Sequence, residues 1–446
     1  MDLKEELGQK KMNLYQWFIV ALCILLNIVD GYDVMVMAFT STSVSADWQI
    51  SSSMLGILLS IGFIGMALGS FILAPQADKI GRRNIILICL FICGSGMLLS
   101  AFSQNAFQLA TCRLITGLGI GGILTNASVV ANEFSSLKWK SLSVSLLSMG
   151  YAVGAVLGGM IAYYLIALHG WRSVFLLGSG LTFSVFLICL KILPESLEYL
   201  AVKQPKYALE RINKIGTKIG LTPLVEMPAI TLTEQRTSIK KLFLAQLATQ
   251  TICLWIAFFM IMAGFYFILS WTPKILAMAG MSMEQGVNLG IFLNIGGILG
   301  AILMGSISSR FQIHKILAIF LVATAIAILL FIVVSNIYNY ALWVGILVGM
   351  LANGCVAGLY ALSTVTYPTE IRATGVGLAI SMGRFGAILA PLGAGYFLDA
   401  GISPLNLYVF ASIFFAVAFI MLLISYHHYK CSISSSRTST ECFSPS

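Results

Sequence analysis

Apolar runs follow one another along almost the whole chain, and their length decides what it can fold into. They lie near 15–39, 50–77, 84–103, 106–133, 141–168, 171–193, 246–272, 284–308, 315–335, 340–367, 375–399 and 405–428. A helix rises about 1.5 Å per residue, so about 20 residues cross a hydrocarbon layer of about 30 Å. Backbone groups in lipid must find partners within their own segment, and barrel strands would instead alternate over about ten residues. Composition agrees: 59% of residues are hydrophobic and 10% charged, against about 25% charged in soluble domains. The expectation is an all-α polytopic membrane protein with twelve transmembrane helices in two six-helix pseudo-symmetric halves.

The charges between the runs give an orientation. Of 26 basic residues, 22 fall in the two tails and in alternate loops, which the preference of Lys and Arg for the cytoplasmic side places inside. Arg172 and Lys274 alone fall in outer loops, and Arg113 and Arg384 lie within spans. Both termini are thus expected to be cytoplasmic, in a multi-pass protein of the cell (inner) membrane. The net charge of +9 suits an anionic lipid leaflet and calls for no nucleic acid. The N-terminal stretch lacks a small-residue cleavage site, so span 1 reads as a retained anchor. Seven of nine cysteines lie in spans and two in the tail, with none in an outer loop. Cys89 and Cys93, one helical turn apart with no histidine nearby, read as packing residues, and no metal is expected.

A polar interval near 194–245 divides the chain six plus six. Residues 148–157 (SMGYAVGAVL) align with 381–390 (SMGRFGAILA) at an offset of 233, and the loop around Asp78 aligns with that around Ser309 at 231. The expected organisation is a cytoplasmic tail 1–14, a bundle 15–193, a cytoplasmic central loop 194–245, a second bundle 246–428 and a cytoplasmic tail 429–446. Parallel repeats of this kind place a substrate site between the halves near mid-membrane, with alternating access by rocking.

The segment Ala74-Pro75-Gln76-Ala77-Asp78-Lys79-Ile80-Gly81-Arg82-Arg83 resembles the signature between helices 2 and 3 of the major facilitator superfamily, with Ala74 in place of its first glycine. The second copy keeps Gly305 and Arg310 but has Ser309 where an acid is expected. Four elements are similar to the aromatic acid:proton symporter family within it. They are Asp30-Gly31-Tyr32-Asp33; the run from Arg113 through Thr116 and Gly117 to Gly122; Pro194-Glu195-Ser196; and Tyr367 to Gly375 leading into Gly383-Arg384-Phe385-Gly386. Members of that family import benzoate-, hydroxybenzoate- or muconate-like carboxylates with protons, which is what the resemblance implies here. In span 5, Gly150, Gly154, Gly158 and Gly159 form a row. Superfamily antiporters usually carry a proline after the second glycine of such a row. This chain has Ala155, which favours symport over exchange.

Ionisable residues near the centre of a span cost on the order of 2.5 to 3.5 kcal/mol on insertion scales and face cavities, where they serve function. Asp30 and Asp33 share one face of span 1. Two carboxylates that close resist double ionisation, which suits proton coupling. The alternative is a structural ion pair with Arg113, which lies at similar depth; pairing would keep Asp33 ionised and leave Asp30 as the carrier. Arg384 lies about 14 Å into span 11 and can clasp a carboxylate with two hydrogen bonds, or else serve as structural partner to an acid in the other half. Further candidates for the substrate site are Arg113, Asn126, Tyr151, Gln250, Phe259, Tyr266, Asn353 and Tyr360, drawn from a pool that includes Trp255 and Phe258 and that packing alone would also explain. Asp78, Arg82, Arg83, Glu133, Arg310 and Arg372 are assigned to a cytoplasmic gate, with Glu133 meeting Arg82 or Arg372.

The functional expectation is a secondary active transporter importing a small aromatic acid or related carboxylate by proton symport, working as a monomer without a cofactor. The competing readings are a facilitator for another solute (sugar, nicotinate-like acid or drug efflux) and a non-transporting membrane sensor of such acids. An enzyme is not expected: all four histidines lie at span ends or beyond, and no nucleophile or metal-ligand cluster forms within the spans.

Overall fold

Two of the apolar runs are entered through a side chain that satisfies exposed backbone groups. In the computed structural model, which describes residues 10–227, 242–243, 245–308, 310–367 and 371–441, helix α1 (Leu14–Trp48) opens on a capping box. Asn13 Oδ1 accepts from the Gln16 amide at 3.0 Å and Gln16 Oε1 accepts from the Asn13 amide at 3.0 Å. It stops at Gln49, which adopts the left-handed conformation with φ 48°. The Asn105 side chain caps α4 in the same way, accepting from Gln108 at 2.9 Å.

The remaining spanning helices are α2 (Ser52–Ile72), α3 (Arg82–Ala101), α4 (Ala106–Glu133), α5 (Lys140–His169), α6 (Trp171–Ile192), α7 (Ala245–Met278), α8 (Met283–Ser308), α9 (Ile313–Val334), α10 (Tyr338–Thr366), α11 (Arg372–Asp399) and α12 (Leu407–Glu441). Among the described residues twelve helices are long and apolar enough to cross a membrane, and there is no strand. α2 ends at Ile72, five residues short of its run, and α7 runs on to Met278, six residues past the expected end, which brings Lys274, expected in an outer loop, into the helix; the longest extensions are in α1 and α12. α1 continues to Trp48, nine residues past the expected end, and α12 continues to Glu441. Both extensions are polar, so hydropathy alone stops short of them. The interval expected as a loop contains two short helices, Leu197–Lys203 and Ala208–Ile219. The second turns Ile212 and Ile219 inward and is tied to the segment before α1, where Asn13 Nδ2 donates to the Lys218 carbonyl at 2.6 Å.

The chain divides into two compact units, one of residues 1–50 and 57–233, the other of 51–56 and 234–446. In the first, α1 packs on α5 and α3 on α4; in the second, α7 packs on α11 and α8 on α10. Small residues set the closest approaches. A Cβ at Gly31 of α1 would overlap the Tyr151 carbonyl of α5, and one at Gly154 of α5 would overlap the Ile28 carbonyl of α1. Gly386 of α11 meets the Phe259 carbonyl of α7 in the same manner. Helices in lipid gain no hydrophobic drive from meeting one another, so such tight van der Waals seams hold them together. Apolar side chains left outside these seams, among them Phe71, Ile319 and Trp343, form the surface such a bundle offers to lipid.

Candidate transport site

The four residues Asp30-Gly31-Tyr32-Asp33 each meet a different neighbour. Gly31 admits α5. The Tyr32 hydroxyl donates to the Val174 carbonyl of α6 at 2.6 Å. Asp33, with no exposed surface, turns its carboxylate toward α3, where the Cys93 thiol donates to Oδ2 at 2.8 Å. Among the described residues Oδ1 of Asp33 has no hydrogen-bond partner. Asp30 is also buried, one turn away on the same helix.

Arg113 of α4 reaches this cluster, though not by the ion pair its depth suggested. Its Nη2 donates to the backbone carbonyl of Asp33 at 2.6 Å, its Nη1 contacts the Met97 sulfur at 3.2 Å, and its guanidinium carbon lies 5.8 Å from the centre of the Phe175 ring. Nε is buried and unpartnered. The short Asp33 side chain faces α3, so the guanidinium arriving from α4 meets the carbonyl. The thiol takes the carboxylate. Beside Arg113 runs a narrow cleft between α1, α2 and α4, lined by apolar side chains such as Val34, Leu59, Phe63 and Ile120, with Arg113 its one charge.

Of the other first-unit candidates, Asn126 spends its amide on the Gly122 carbonyl of its own helix at 2.9 Å. Tyr151 lies where α5 meets Gly31 of α1.

In the second unit, Arg384 on α11 is half-buried and its charge acts on the Tyr360 hydroxyl of α10. The Tyr360 ring meets Phe258 of α7 edge to face, centroids 5.6 Å apart, and Gly383 beside Arg384 packs on Phe258 and Met262. Arg384, Tyr360, Phe258 and Phe259 thus gather where α7, α10 and α11 meet. The remaining candidates stand apart from them. Asn353 donates to the Gly297 carbonyl of α8 at 2.7 Å and ties two helices together. Tyr266 packs edge to face on its neighbour Phe265. Gln250 lines a separate narrow cleft with His314, Thr366 and Ser425.

At the α2–α3 turn, Arg82 forms an ion pair with Glu133 at the end of α4, donates to Ser196 Oγ at 2.6 Å, and lies 3.7 Å from Asp78. Ser196 also donates to Glu133. Glu195 Oε1 accepts from the amides of Arg83 and Ser196 at 3.1 and 3.0 Å, while the Arg83 guanidinium donates to the carbonyls of Leu190 and Leu193. Gly81 takes φ +100°, and a Cβ there would run into the Glu195 carboxylate. Glu133 therefore meets Arg82. In the second unit Arg372 donates to the Tyr367 carbonyl at 3.2 Å and Arg310 is exposed. Ser309 and Pro368-Thr369-Glu370 lie outside the described residues.

The fold is one of twelve spanning helices in two units, with a polar turn tying α3 to α4 and to the segment after α6. The family model described as Major Facilitator Superfamily matches residues 21–391 and 295–430. The chain belongs to the major facilitator superfamily. The gallate transporter of Pseudomonas putida is 32% identical over 407 residues, 90% of each chain. The 4-hydroxybenzoate transporter of Pseudomonas aeruginosa is 33% identical over 395 residues, 87% of this chain and 88% of that one. The crystal structure of a D-xylose–proton symporter superposes with a TM-score of 0.72 at 15% identity, covering 93% of this chain and 98% of that one. This facilitator is thus a multi-pass membrane transporter, and its relatives carry aromatic acids, the class to which the motifs in α1 and α11 pointed.

Sequence reasoning passed over two parts of these clusters. Cys93 carried no signal beyond small size. Glu195 and Ser196 were visible as a motif, but that they bridge α3 and α4 depends on how the chain turns after α6.

Proposed function

We propose that this facilitator imports a small aromatic carboxylate by proton symport across the cell (inner) membrane, with both termini cytoplasmic and the site exposed alternately to either side. The observation that carries the reading is the buried Asp30–Asp33 pair beside Arg113 at an apolar cleft, in a chain whose relatives are named for gallate and 4-hydroxybenzoate transport. An anion moving inward against about 100 mV, inside negative, is opposed by about 2.3 kcal/mol. A proton taken up with it cancels that cost and adds the pH gradient.

The chain's own residues divide the work. Asp30 and Asp33 handle the proton. Arg384 and Arg113 are the cations that meet the carboxylate, Arg113 giving up its bond to the Asp33 carbonyl to do so, and Tyr360, Phe258 and Phe259 offer flat surfaces to a ring. Asn126, Tyr151, Gln250, Tyr266 and Asn353 shape these surroundings. The network of Asp78, Arg82, Arg83 and Glu133 with Glu195 and Ser196, and in the second half Arg310 and Arg372, forms the cytoplasmic gate. Separate replacement of Asp30 and Asp33 by Asn, in protein that reaches the membrane, is expected to abolish accumulation of labelled 4-hydroxybenzoate in vesicles with an imposed pH gradient. Full accumulation in both variants would defeat the reading.

A further inference from the structure

The Asp33 carboxylate is fully buried, yet the nearest cation does not hydrogen-bond to it. Arg113 is spent on the Asp33 carbonyl and the Met97 sulfur. One carboxylate oxygen is unpartnered, and the other accepts from Cys93 at 2.8 Å. The groups facing Asp33 from the elements around it are few. α1 itself brings Tyr32, with Asp30 one turn away, α3 brings Cys93, α4 brings Arg113, and α6 brings the neutral hydroxyl of Thr182, which donates to Gly178 of its own helix. A donor aimed at a carboxylate favours the ionised form, and an apolar neighbour of the same size would not. In a buried site, one donor more or less weighs heavily.

We infer that Cys93 is a positioning residue for proton coupling: its thiol orients the Asp33 carboxylate and favours its ionised state, so that Cys93 sets the pH range over which uptake switches on. The inference rests on the reading of Asp33 as a proton-coupling residue. It gives a chemical task to a cysteine whose small size would otherwise be its whole account, and it explains why an acid can sit fully buried while its nearest arginine points elsewhere.

The test uses the full chain in proteoliposomes and radiolabelled 4-hydroxybenzoate. Initial uptake is measured against external pH above about 6, where a carboxylic acid stays ionised throughout. Exchange of preloaded substrate at equal pH on both sides reports intact protein. Cys93→Ala and the volume-filling Cys93→Val both remove the donor and are expected to move the half-maximal pH upward by about half to one unit. Cys93→Ser keeps a donor and is expected to hold the midpoint at or below that of the unsubstituted chain. An unmoved or lowered midpoint in Cys93→Ala and Cys93→Val overturns the inference, as does the same upward shift in Cys93→Ser, which would trace the effect to packing. Asp33→Asn in the same preparation separates the two levels. If it still accumulates substrate, the proton-coupling reading falls and this inference with it. If it does not, and the donor-free variants keep their midpoint, the role of Cys93 alone falls.

Discussion

Tyr32, the third residue of the α1 motif, is spent on architecture. Its hydroxyl is bound to the Val174 carbonyl inside the first unit, so Tyr32→Phe leaves a buried acceptor short of a donor and is expected to cost about 1 to 2 kcal/mol. Thermal unfolding in detergent would register this as a lower midpoint, while an unchanged midpoint would show the bond to be dispensable. Arg384 belongs to the opposite case, half-buried beside Tyr360 and Phe258. Arg384→Lys keeps the charge and loses the planar fork, so KM for an aromatic acid is expected to rise at least about tenfold, the loss of roughly one charge-assisted hydrogen bond. An unchanged KM would remove Arg384 from the substrate site. That Asp30, Asp33, Arg113 and Arg384 lie within spanning helices was legible in the sequence, because charge inside an apolar run stands out. Their partners were not, because depth along a helix fixes height but leaves open whether a guanidinium meets a carboxylate or a carbonyl.

Between helices, the seams were legible as glycine rows and the locks only as motifs. Gly31 and Gly154 put α1 against α5, so Gly31→Leu is expected to destabilise the first unit by at least about 1 to 3 kcal/mol through forced separation of backbones. Loss of folded protein on size exclusion would confirm it. At the cytoplasmic turn, Arg82, Glu133 and Ser196 form a triangle that joins α3, α4 and the segment after α6. The side chains of Arg82 and Glu133 are mostly shielded, at 13% and 11% exposed, while Asp78 is 74% exposed. The Arg82–Glu133 pair should therefore outweigh the Arg82–Asp78 pair, which solvent screens. A double-mutant cycle on thermal stability is expected to give about 1 to 3 kcal/mol for the former and under about 0.5 kcal/mol for the latter. Equal couplings would contradict this order. Glu133 was assigned to Arg82 or Arg372 on position alone, and the fold of the turn around Gly81 decides between them.

For the whole molecule, run length and the repeat at an offset of 233 were enough to anticipate twelve helices and a chain divided in two. The helical extensions of α1 and α12 and the two short helices after α6 were missed because polar helices leave no mark in hydropathy. The halves share their pattern of packing and differ in chemistry: the buried acids lie in the first unit, and the position aligned with Tyr151 carries Arg384 in the second. That asymmetry suits a carrier in which one half handles protons and the other helps to hold an anion. The most direct test is accumulation of labelled 4-hydroxybenzoate in proteoliposomes containing the full chain, with an inward proton gradient imposed and then collapsed by a protonophore. Proton-coupled import predicts accumulation above the equilibrium level that disappears with the gradient; uptake that never exceeds equilibrium, with or without the gradient, would contradict it.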